Sequence, residues 1–238
     1  MANVRSQEEI FSNYQWHDKG CMLLHITKER CDYIQSRIER GFGKGSFKEQ
    51  EILEIGCGGG LICKELAERG AITIGVDPSK EALESACVYT EKANVGQSAS
   101  FLQAYAEHLP YADGSFSVIV CLDTLEHVRD LRATIQEIAR VLAPGGIFIF
   151  DTINRTLLAR LVLIWIGERI PASSLVPGIH HYRDFIKPRE LQSLLTQNGL
   201  QVRETVGFAP HGFKQGRLIM GTSWFMGLSY VGYARKPL

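Results

Sequence analysis

Apolar and polar residues follow two alternating rhythms along the chain, and each rhythm predicts a different element. Apolar runs of strand length lie at residues 51–56, 71–77, 99–105, 116–125 and 147–154. The segments between them place apolar residues three and four apart, as amphipathic helices do, at 59–70, 78–94 and 130–142. Strands that alternate with helices predict a parallel sheet with both faces covered.

The pattern changes on either side of this alternating core. A helix is predicted at 28–40, where Ile34 and Ile38 lie four residues apart. After residue 154 we expect an apolar segment, then a capped helix at 184–200 and two further strands at 201–208 and 223–236. The fold class is α/β, a Rossmann-like doubly wound sheet in a single domain. We expect four parts: an N-terminal helical cap (1–45), a cofactor-binding core (46–154), a lid-like insertion (155–190), and a C-terminal helix with strands (191–238).

Composition narrows the classes of function. Lys and Arg total 26 and so do Asp and Glu, so no net basic field favours nucleic acid. The six cysteines form no Cys-x-x-Cys pair and the N-terminus is polar, which indicates reduced thiols and a cytoplasmic protein. No apolar run approaches the ~20 residues that a membrane-spanning helix needs.

The glycine-rich loop after the first predicted strand is the strongest chemical signal. A phosphate-binding P-loop needs Lys and Ser or Thr after its last glycine, but Leu61 and Ile62 follow here. The dinucleotide pattern needs a third glycine where Leu61 stands, which disfavours a nicotinamide dehydrogenase. Glu54 followed by Gly56, Gly58 and Gly60 resembles instead the loop of class I S-adenosylmethionine-dependent methyltransferases.

Two further strand ends carry polar residues that suit a ligand. Asp77 ends the second predicted strand, where a carboxylate can accept hydrogen bonds from both hydroxyls of a ribose. Asp123, Glu126 and His127 follow the fourth strand, at the edge where doubly wound sheets place their ligand crevice. An alternative stays open, in which His127 packs under the cofactor and Glu126 is a helix N-terminal carboxylate.

Longer stretches resemble a narrower family, the O-methyltransferases of ubiquinone biosynthesis, which methylate polyprenylated catechols. The resemblance covers nearly the whole chain and rests on residues 16–30 and on the stretches "LEIGCGGG", "CLDTLEHV", "APGGIFIFDTINR", "VPGIHHYRDFIKPREL" and "LSYVGYARK". It implies S-adenosylmethionine as cofactor. It also implies Mg²⁺, because this family associates the motif that here reads Asp123, Glu126 and His127 with a divalent cation.

The same resemblance and the loop chemistry together give a set of expected site residues. The cofactor contacts are expected to come from Arg30, Glu54, Gly56, Gly58, Gly60, Asp77, Pro78, Ala106, Glu107 and Leu122. A phenol with a pKa near ~10 is a poor nucleophile at neutral pH, so we expect either a bound metal that lowers this pKa or a histidine that takes the proton as general base. The expected catalytic residues are His127 and Glu126, and the expected substrate contacts are His180, His181 and Tyr182.

The acceptor implied by the resemblance is a small phenol with an isoprenoid tail. Residues 157–170 are too short to span a bilayer, but they are mostly apolar, and Arg155, Arg160 and Arg169 could meet anionic headgroups. We expect this segment to be a lid, a contact with the inner face of the membrane, or both. Two alternatives stay open: methylation of a carbon or nitrogen of another small molecule, and a non-catalytic cofactor-binding protein at the membrane surface.

Overall fold

The computed structural model describes residue 11 and residues 14–169, 176–214 and 217–238. Within these ranges, eight strands form one sheet: β1 (Glu51–Ile55), β2 (Ile72–Asp77), β3 (Ala99–Gln103), β4 (Phe116–Cys121), β5 (Leu142–Ile153), β6 (Gln201–Lys214), β7 (Arg217–Ser223) and β8 (Ser229–Arg235). The numbered helices are α1 (Met22–Phe42), α2 (Leu61–Glu68), α3 (Lys80–Lys92), α4 (Leu131–Val141) and α5 (Pro188–Gln197). Residues 157–169 form a further helical segment, called the cover helix below, whose central part is π-helical.

The sheet confirms the predicted doubly wound core and adds an antiparallel part. Its strand order is β3-β2-β1-β4-β5-β8-β6-β7, and β1 to β5 are mutually parallel. β8 runs antiparallel to β5, and β6 and β7 then extend the sheet as an antiparallel hairpin. The order reverses between β1 and β4, so the crevice of the fold opens at the carboxyl ends of these two strands.

Both faces of the sheet are covered, as the alternation of strands and helices predicts. On one face, Ile135 and Ile138 of α4 and Leu191 of α5 pack in the buried cluster that also holds Phe148. On the other face, Ile34 and Ile38 of α1 and Leu66 of α2 pack against Ile52 and Ile149. All six cysteines are free, and only Cys87 is exposed, which agrees with reduced thiols used as small core residues.

Several predicted boundaries are wrong, and the errors concentrate outside the parallel core. β7 is missed altogether, and the strand predicted at 223–236 begins only at Ser229. The predicted turn before the fifth strand lies inside β5, where the register against β4 shifts and Gly145 takes a φ of 76°. These features depend on pairing with distant strands, which local patterns do not report.

Two helix starts also differ from the prediction. α1 begins at Met22, six residues before the predicted start. α3 begins at Lys80, because the Ser79 hydroxyl accepts a hydrogen bond from the Ala82 amide at 3.1 Å and so caps the helix. Pro78 therefore precedes α3 and is not its first residue.

Candidate functional site

The glycine loop between β1 and α2 has a backbone that side chains would not tolerate. Gly56, Gly58 and Gly60 have φ values of 74°, 48° and 75°, in the left-handed region. A Cβ on Gly56 would lie 2.2 Å from the Thr124 hydroxyl, and one on Gly58 would lie 2.4 Å from the Trp16 ring. The loop is thus glycine both for its backbone conformation and for the close approach of its neighbours.

Asp77 at the end of β2 fixes the shape of this loop. One carboxylate oxygen accepts a hydrogen bond from the Gly58 amide and the other accepts from the Ser79 amide, each at 2.9 Å. Burial raises the pKa of Asp77, against the effect of these two hydrogen bonds. Each oxygen keeps a free lone pair, so the carboxylate can still accept hydroxyl groups of a ligand.

A cleft of about 360 Å³ opens beside Asp77 and is called the cofactor cleft below. Pro78, Ala106 and Glu107 line it, as does Tyr105, whose ring lies 4.7 Å from the Arg129 guanidinium. Glu107 also accepts hydrogen bonds from the Arg129 and Asp130 amides, so its carboxylate holds the loop that precedes α4. The expected cofactor residues of this region therefore share one cleft.

A second cavity of about 290 Å³ adjoins the first and is called the acceptor cavity below. Its walls are mostly apolar and come from distant parts of the chain: α1 (Leu23, Ile26), the cover helix (Val162, Leu163), Ile179 and the C-terminal strands (Phe208, Met220). Leu122 also lines it. Such a cavity fits an apolar ring or tail better than a polar metabolite.

Two buried charged residues stand in the wall of the acceptor cavity next to the glycine loop. Glu54 is buried, which raises its pKa to about 8, and its Oε2 has no hydrogen-bond partner among the described residues. Arg30 is buried between two carboxylates, at 2.5 Å from Asp123 Oδ2 and 2.8 Å from Asp151 Oδ2. Burial opposes its charge, but these carboxylates raise the pKa of Arg30, so it is a cation.

The loop after β4 is held in a strained conformation by β5. Asp123 has a φ of 46°, and its amide donates to Asp151 Oδ1 at 2.7 Å. Thr152 donates to Glu126 Oε2 at 2.9 Å, and Glu126 is buried. Burial and the nearby Asp123 raise the pKa of Glu126 to about 7. β5 therefore anchors the backbone of Asp123 and the side chain of Glu126.

The expectation of a magnesium site on Asp123, Glu126 and His127 is not supported. Within the described ranges, no three His, Cys, Asp or Glu side chains are grouped so that they could hold a metal ion. The Asp123 carboxylate is taken by Arg30, and Glu126 is tied to Thr152, on the side of β5. A cation at Arg30 disfavours a second cation at the same carboxylate.

The histidines predicted for catalysis and substrate binding separate into different places. His127 and His180 both line the acceptor cavity, with their ring centroids 5.4 Å apart. His181 is exposed and lines a third, more polar cavity, which His127 also borders, and Tyr182 packs near Arg160 of the cover helix. Glu126 lines that polar cavity too, and neither the cofactor cleft nor the acceptor cavity includes it.

The two cavity histidines differ in their surroundings. Burial, with His180 and His181 nearby, lowers the pKa of His127 to about 3, so its ring is neutral. His180 Nδ1 lies 3.5 Å from Glu168 Oε1, and Glu168 also accepts hydrogen bonds from the Gly178 and His180 amides. Burial opposes ionisation of Glu168, but these donors lower its pKa overall, so it is a carboxylate. Of the two rings, only His180 is backed by an anion in the described residues.

Sequence reasoning missed Trp16, Glu168 and Asp151 as site residues. Trp16 lies against Gly58 and Gly59, where an added Cβ would be 2.4 Å from its side chain. Its position in the N-terminal stretch "WHDKG" was the available signal. Glu168 and Asp151 carried no local signal, because each reaches the site only through tertiary contacts.

The cover helix has two different sides. Ala159 is buried and Val162 and Leu163 line the acceptor cavity. On the outside, Leu157 is 74% exposed and Trp165 55% exposed, and Leu158, Leu161 and Ile166 are exposed as well. The loop before β8 adds Trp224, 89% exposed, and Phe225. Among the residues with described structure, we find no helix with the length and hydropathy to cross a membrane.

Comparison with known proteins finds methyltransferases throughout. A family of methyltransferase domains matches residues 53–150. The ubiquinone biosynthesis O-methyltransferase of Xanthomonas euvesicatoria pv. vesicatoria is 33% identical over 229 residues, covering 95% of this chain and 90% of that protein. The enzyme of the same name from Rickettsia prowazekii is 33% identical over 214 residues, covering 87% and 82%.

Solved structures agree on the fold. A SAM-dependent methyltransferase from Thermotoga maritima matches 97% of this chain and 99% of its own with a TM-score of 0.68 at 21% identity. The magnesium protoporphyrin IX methyltransferase of Synechocystis PCC 6803, solved with bound SAH, matches 88% of this chain and 84% of its own with a TM-score of 0.60 at 21% identity.

Proposed function

The chain belongs to the family of the ubiquinone biosynthesis O-methyltransferases, which are S-adenosylmethionine-dependent enzymes, and we propose that it methylates a phenolic oxygen of a small polyprenylated catechol or quinol. One observation carries the proposal. An apolar cavity with two histidines in its wall adjoins the cleft beside Asp77 and the glycine loop. A cofactor in the cleft would then meet an apolar phenol in the cavity.

The residues of the cleft fit the parts of S-adenosylmethionine. Asp77 can accept the ribose hydroxyls, and the wall of the cleft at Ala106 can cover the adenine. At the other end, Glu54 Oε2, which has no hydrogen-bond partner among the described residues, suits an ammonium group. Arg30 suits a carboxylate, so together the two side chains suit an amino-acid group. Gly56 lines both cavities, so the cofactor can lie against its backbone there.

The bound cofactor supplies an electrophilic methyl group on a sulfonium. The task of the protein is to hold the acceptor oxygen in line with that methyl and to receive the phenolic proton. We propose that His180 receives it at Nε2, since Nδ1 is turned toward the Glu168 carboxylate, which would stabilise the imidazolium. His127, with its lowered pKa, is a weak base, and we propose that it orients the acceptor by hydrogen bonding.

Glu126, which the sequence predicts as a catalytic residue, is a positioning residue in this proposal. It does not line the acceptor cavity, and its hydrogen bond from Thr152 joins the loop after β4 to β5. We therefore propose that Glu126 positions His127, its neighbour in sequence. The separation of His181 and Tyr182 from the acceptor cavity likewise leaves His180 as the substrate contact of the three expected ones.

The outer side of the cover helix supports a peripheral contact with membranes. Its exposed leucines and Trp165 lie beside Arg160 and Arg169. Aromatic and aliphatic side chains next to arginines suit the interface of an anionic bilayer. Since the inner side of the same helix lines the acceptor cavity, an acceptor with an isoprenoid tail could reach the cavity from the bilayer.

The test of the proposed function is a turnover assay. The purified chain is incubated with S-adenosylmethionine and a catechol that carries a short isoprenoid tail, and formation of the methyl ether is followed by mass spectrometry. We expect methylation of one phenolic oxygen, and none with the same ring after both hydroxyls have been blocked. A chain that binds the cofactor but leaves the catechol unmethylated, or methylates its ring carbon, would contradict the phenolic acceptor.

A further inference from the structure

The stretch that precedes α1 belongs neither to the sheet nor to a helix. Residues 14–21, called the N-terminal strap below, form a series of turns. The Asp18 amide donates to the Gln15 carbonyl at 3.3 Å, and the Cys21 amide donates to the Asp18 carbonyl at 2.9 Å. These backbone hydrogen bonds stay within the strap, so its position on the candidate site depends on side-chain contacts.

Trp16 is the residue of the strap that closes the candidate site. Its side chain lies along the glycine loop, where an added Cβ on Gly58 or Gly59 would be 2.4 Å from it. Trp16 borders both the cofactor cleft and the acceptor cavity. It also borders an outer cavity whose lining includes the exposed Gln15 and Asp18. Trp16 therefore stands between the two cavities of the site and the solvent.

The proposed placement of the cofactor brings it next to Trp16. The ribose is proposed at Asp77 in the cofactor cleft, and the amino-acid group at Glu54 and Arg30 in the wall of the acceptor cavity. The sulfur of the cofactor joins these two groups covalently. A molecule bound at both sites therefore crosses the junction of the two cavities, which Gly56 and Trp16 both border.

The walls of this junction differ in how they are fixed. The Gly56 amide donates to the Val76 carbonyl at 2.8 Å, and Asp77 accepts from the Gly58 amide at 2.9 Å, so the glycine loop is tied to β2. The loop after β4 is tied to β5 through the Asp123 amide. The strap is held by its own turns and by side chains. Of these walls, the strap is the one that can move without disturbing the sheet.

His17 joins the strap to the glycine loop and to α3. Its Nε2 lies 2.8 Å from the Gly59 carbonyl oxygen, and its Nδ1 lies 3.4 Å from the Ser85 hydroxyl. An imidazole with its proton on Nε2 donates to the carbonyl and accepts from the hydroxyl. The ring also stacks on Tyr89 of α3, with centroids 3.9 Å apart at 16°. The described linings of the cofactor cleft and the acceptor cavity do not include His17, so it acts on the strap and not on a ligand.

We propose that the N-terminal strap opens when the cofactor enters or leaves, and that His17 holds the strap closed between these events. The closed strap keeps Trp16 over the junction, where it shields the sulfur and the methyl group from water. Loss of the His17 contacts raises the fraction of time that the strap is open, so a bound ligand leaves faster. The inference rests on the proposed placement of the cofactor and not on the identity of the acceptor.

The experiment measures how fast S-adenosylhomocysteine, the product formed from the cofactor, leaves the full chain. The complex with radiolabelled product is mixed with an excess of unlabelled product, and the label that stays bound is followed by rapid filtration. The unmodified chain is compared with His17→Ala, His17→Gln and Tyr89→Leu. His211→Ala is the matched control, because His211 is an exposed histidine of β6 that the described linings of both cavities leave out. Circular dichroism spectra and melting temperatures check that each variant folds.

The dissociation rate constant of the product is the first readout. We expect His17→Ala to raise it roughly 5- to 50-fold, because two hydrogen bonds and a ring contact are lost together. His17→Gln keeps a donor for the Gly59 carbonyl, and Tyr89→Leu keeps both hydrogen bonds of His17, so each should raise the rate less. His211→Ala should leave it unchanged. An unchanged rate in His17→Ala would overturn the inference.

Hydrogen exchange of backbone amides is the second readout, and it separates an opening strap from a disturbed glycine loop. In His17→Ala without ligand we expect faster exchange at residues 14–21 and unchanged exchange at residues 51–55 of β1. Faster release of the product with unchanged exchange in the strap also overturns the inference, because His17 then acts on the loop alone. If the unmodified chain does not bind the product, the proposed cofactor placement fails, and the inference with it. Both readouts use binding alone, so they do not depend on the acceptor.

Discussion

The cofactor side and the acceptor side of the site are built by different means. The cofactor cleft lies where features of the backbone meet: the left-handed glycine loop, Asp77 bound to two amides, and the ends of neighbouring parallel strands. The acceptor cavity is made by side chains that meet from α1, the cover helix, the loop at 179–180 and the C-terminal strands. Backbone geometry fixes a constant ligand, while apolar side chains can be exchanged to suit a variable one.

The largest effect is expected at His180, which tests the acceptor side alone. His180→Ala removes the proposed proton acceptor from the acceptor side, so we expect turnover to fall roughly 10²- to 10⁴-fold. The affinity for S-adenosylmethionine should stay within about twofold, because the cofactor cleft does not include this residue. Single-turnover rates and calorimetry measure the two quantities.

Glu168→Gln tests whether His180 acts as the base with the support of the Glu168 carboxylate. It keeps the size and the acceptor oxygen of the side chain but loses the charge that would stabilise the imidazolium. We expect a smaller loss of turnover and an altered pH profile. Groups near His180 that enter this profile are Glu168, His127, Glu126 and His181. Full activity in both variants would contradict the assigned base.

The next effect is expected on the cofactor side, at Gly56. Gly56→Ala adds a Cβ 2.2 Å from Thr124 and forces a residue with a side chain to keep a φ of 74°. We expect roughly 10- to 100-fold weaker binding of S-adenosylmethionine, and a loss of about 1–3 kcal/mol in the free energy of unfolding. Gly43→Ala is the control, since Gly43 also has a positive φ but nothing lies within 4 Å of its added Cβ. Equal affinity in both variants would show that the loop does not need glycine for the ligand.

A smaller effect is expected from the carboxyl group of Glu54, on the cofactor side, in the pH dependence of stability. Glu54 has a pKa of about 8 in the folded protein, against about 4.3 when unfolded, so the folded state binds its proton more tightly. Its contribution to stability is therefore fully present below about pH 4 and is lost as the pH rises toward 8. We expect the difference in unfolding free energy between the native chain and Glu54→Gln to change by about 3–4 kcal/mol from pH 5 to pH 8.

Urea unfolding at several pH values measures this difference. Glu84→Gln is the control, because Glu84 is exposed and pairs only at 3.6 Å with Lys80 on the surface of α3. We expect no change of slope with pH in that variant. A Glu54→Gln curve parallel to that of the native chain would mean that Glu54 is ionised in the folded protein at all these pH values.

The smallest effect concerns the outer surface of the acceptor side. Serine at Leu157, Leu161 and Trp165 should lower binding to vesicles with anionic lipid severalfold, with little change in turnover on a short-tailed catechol. The matched control places serine at Ile72, Val88 and Leu102, which are also exposed but lie on β2, α3 and β3. Sedimentation with anionic and neutral vesicles measures both triple variants. Equal losses would deny the cover helix any special contact.

Much of the cofactor side could be predicted from the sequence because its signals are local. Glycines next to a strand, and an aspartate at the end of the next strand, report a backbone conformation directly, and the structure places Gly56, Gly58 and Asp77 together as expected. The parallel core followed for the same reason, since each strand and helix carries its own periodicity.

Only the tertiary structure decided the acceptor side and the charges. Nothing near Asp123 in the sequence shows that Arg30 takes its carboxylate, and nothing near His180 shows that Glu168 lies beside it. Likewise, β7 pairs with β6 across a turn, and Trp16 packs against a glycine loop that is distant from it in sequence. Burial and charge pairing are properties of neighbours in space, so they set the pKa values and the metal-binding capacity only once the chain has folded.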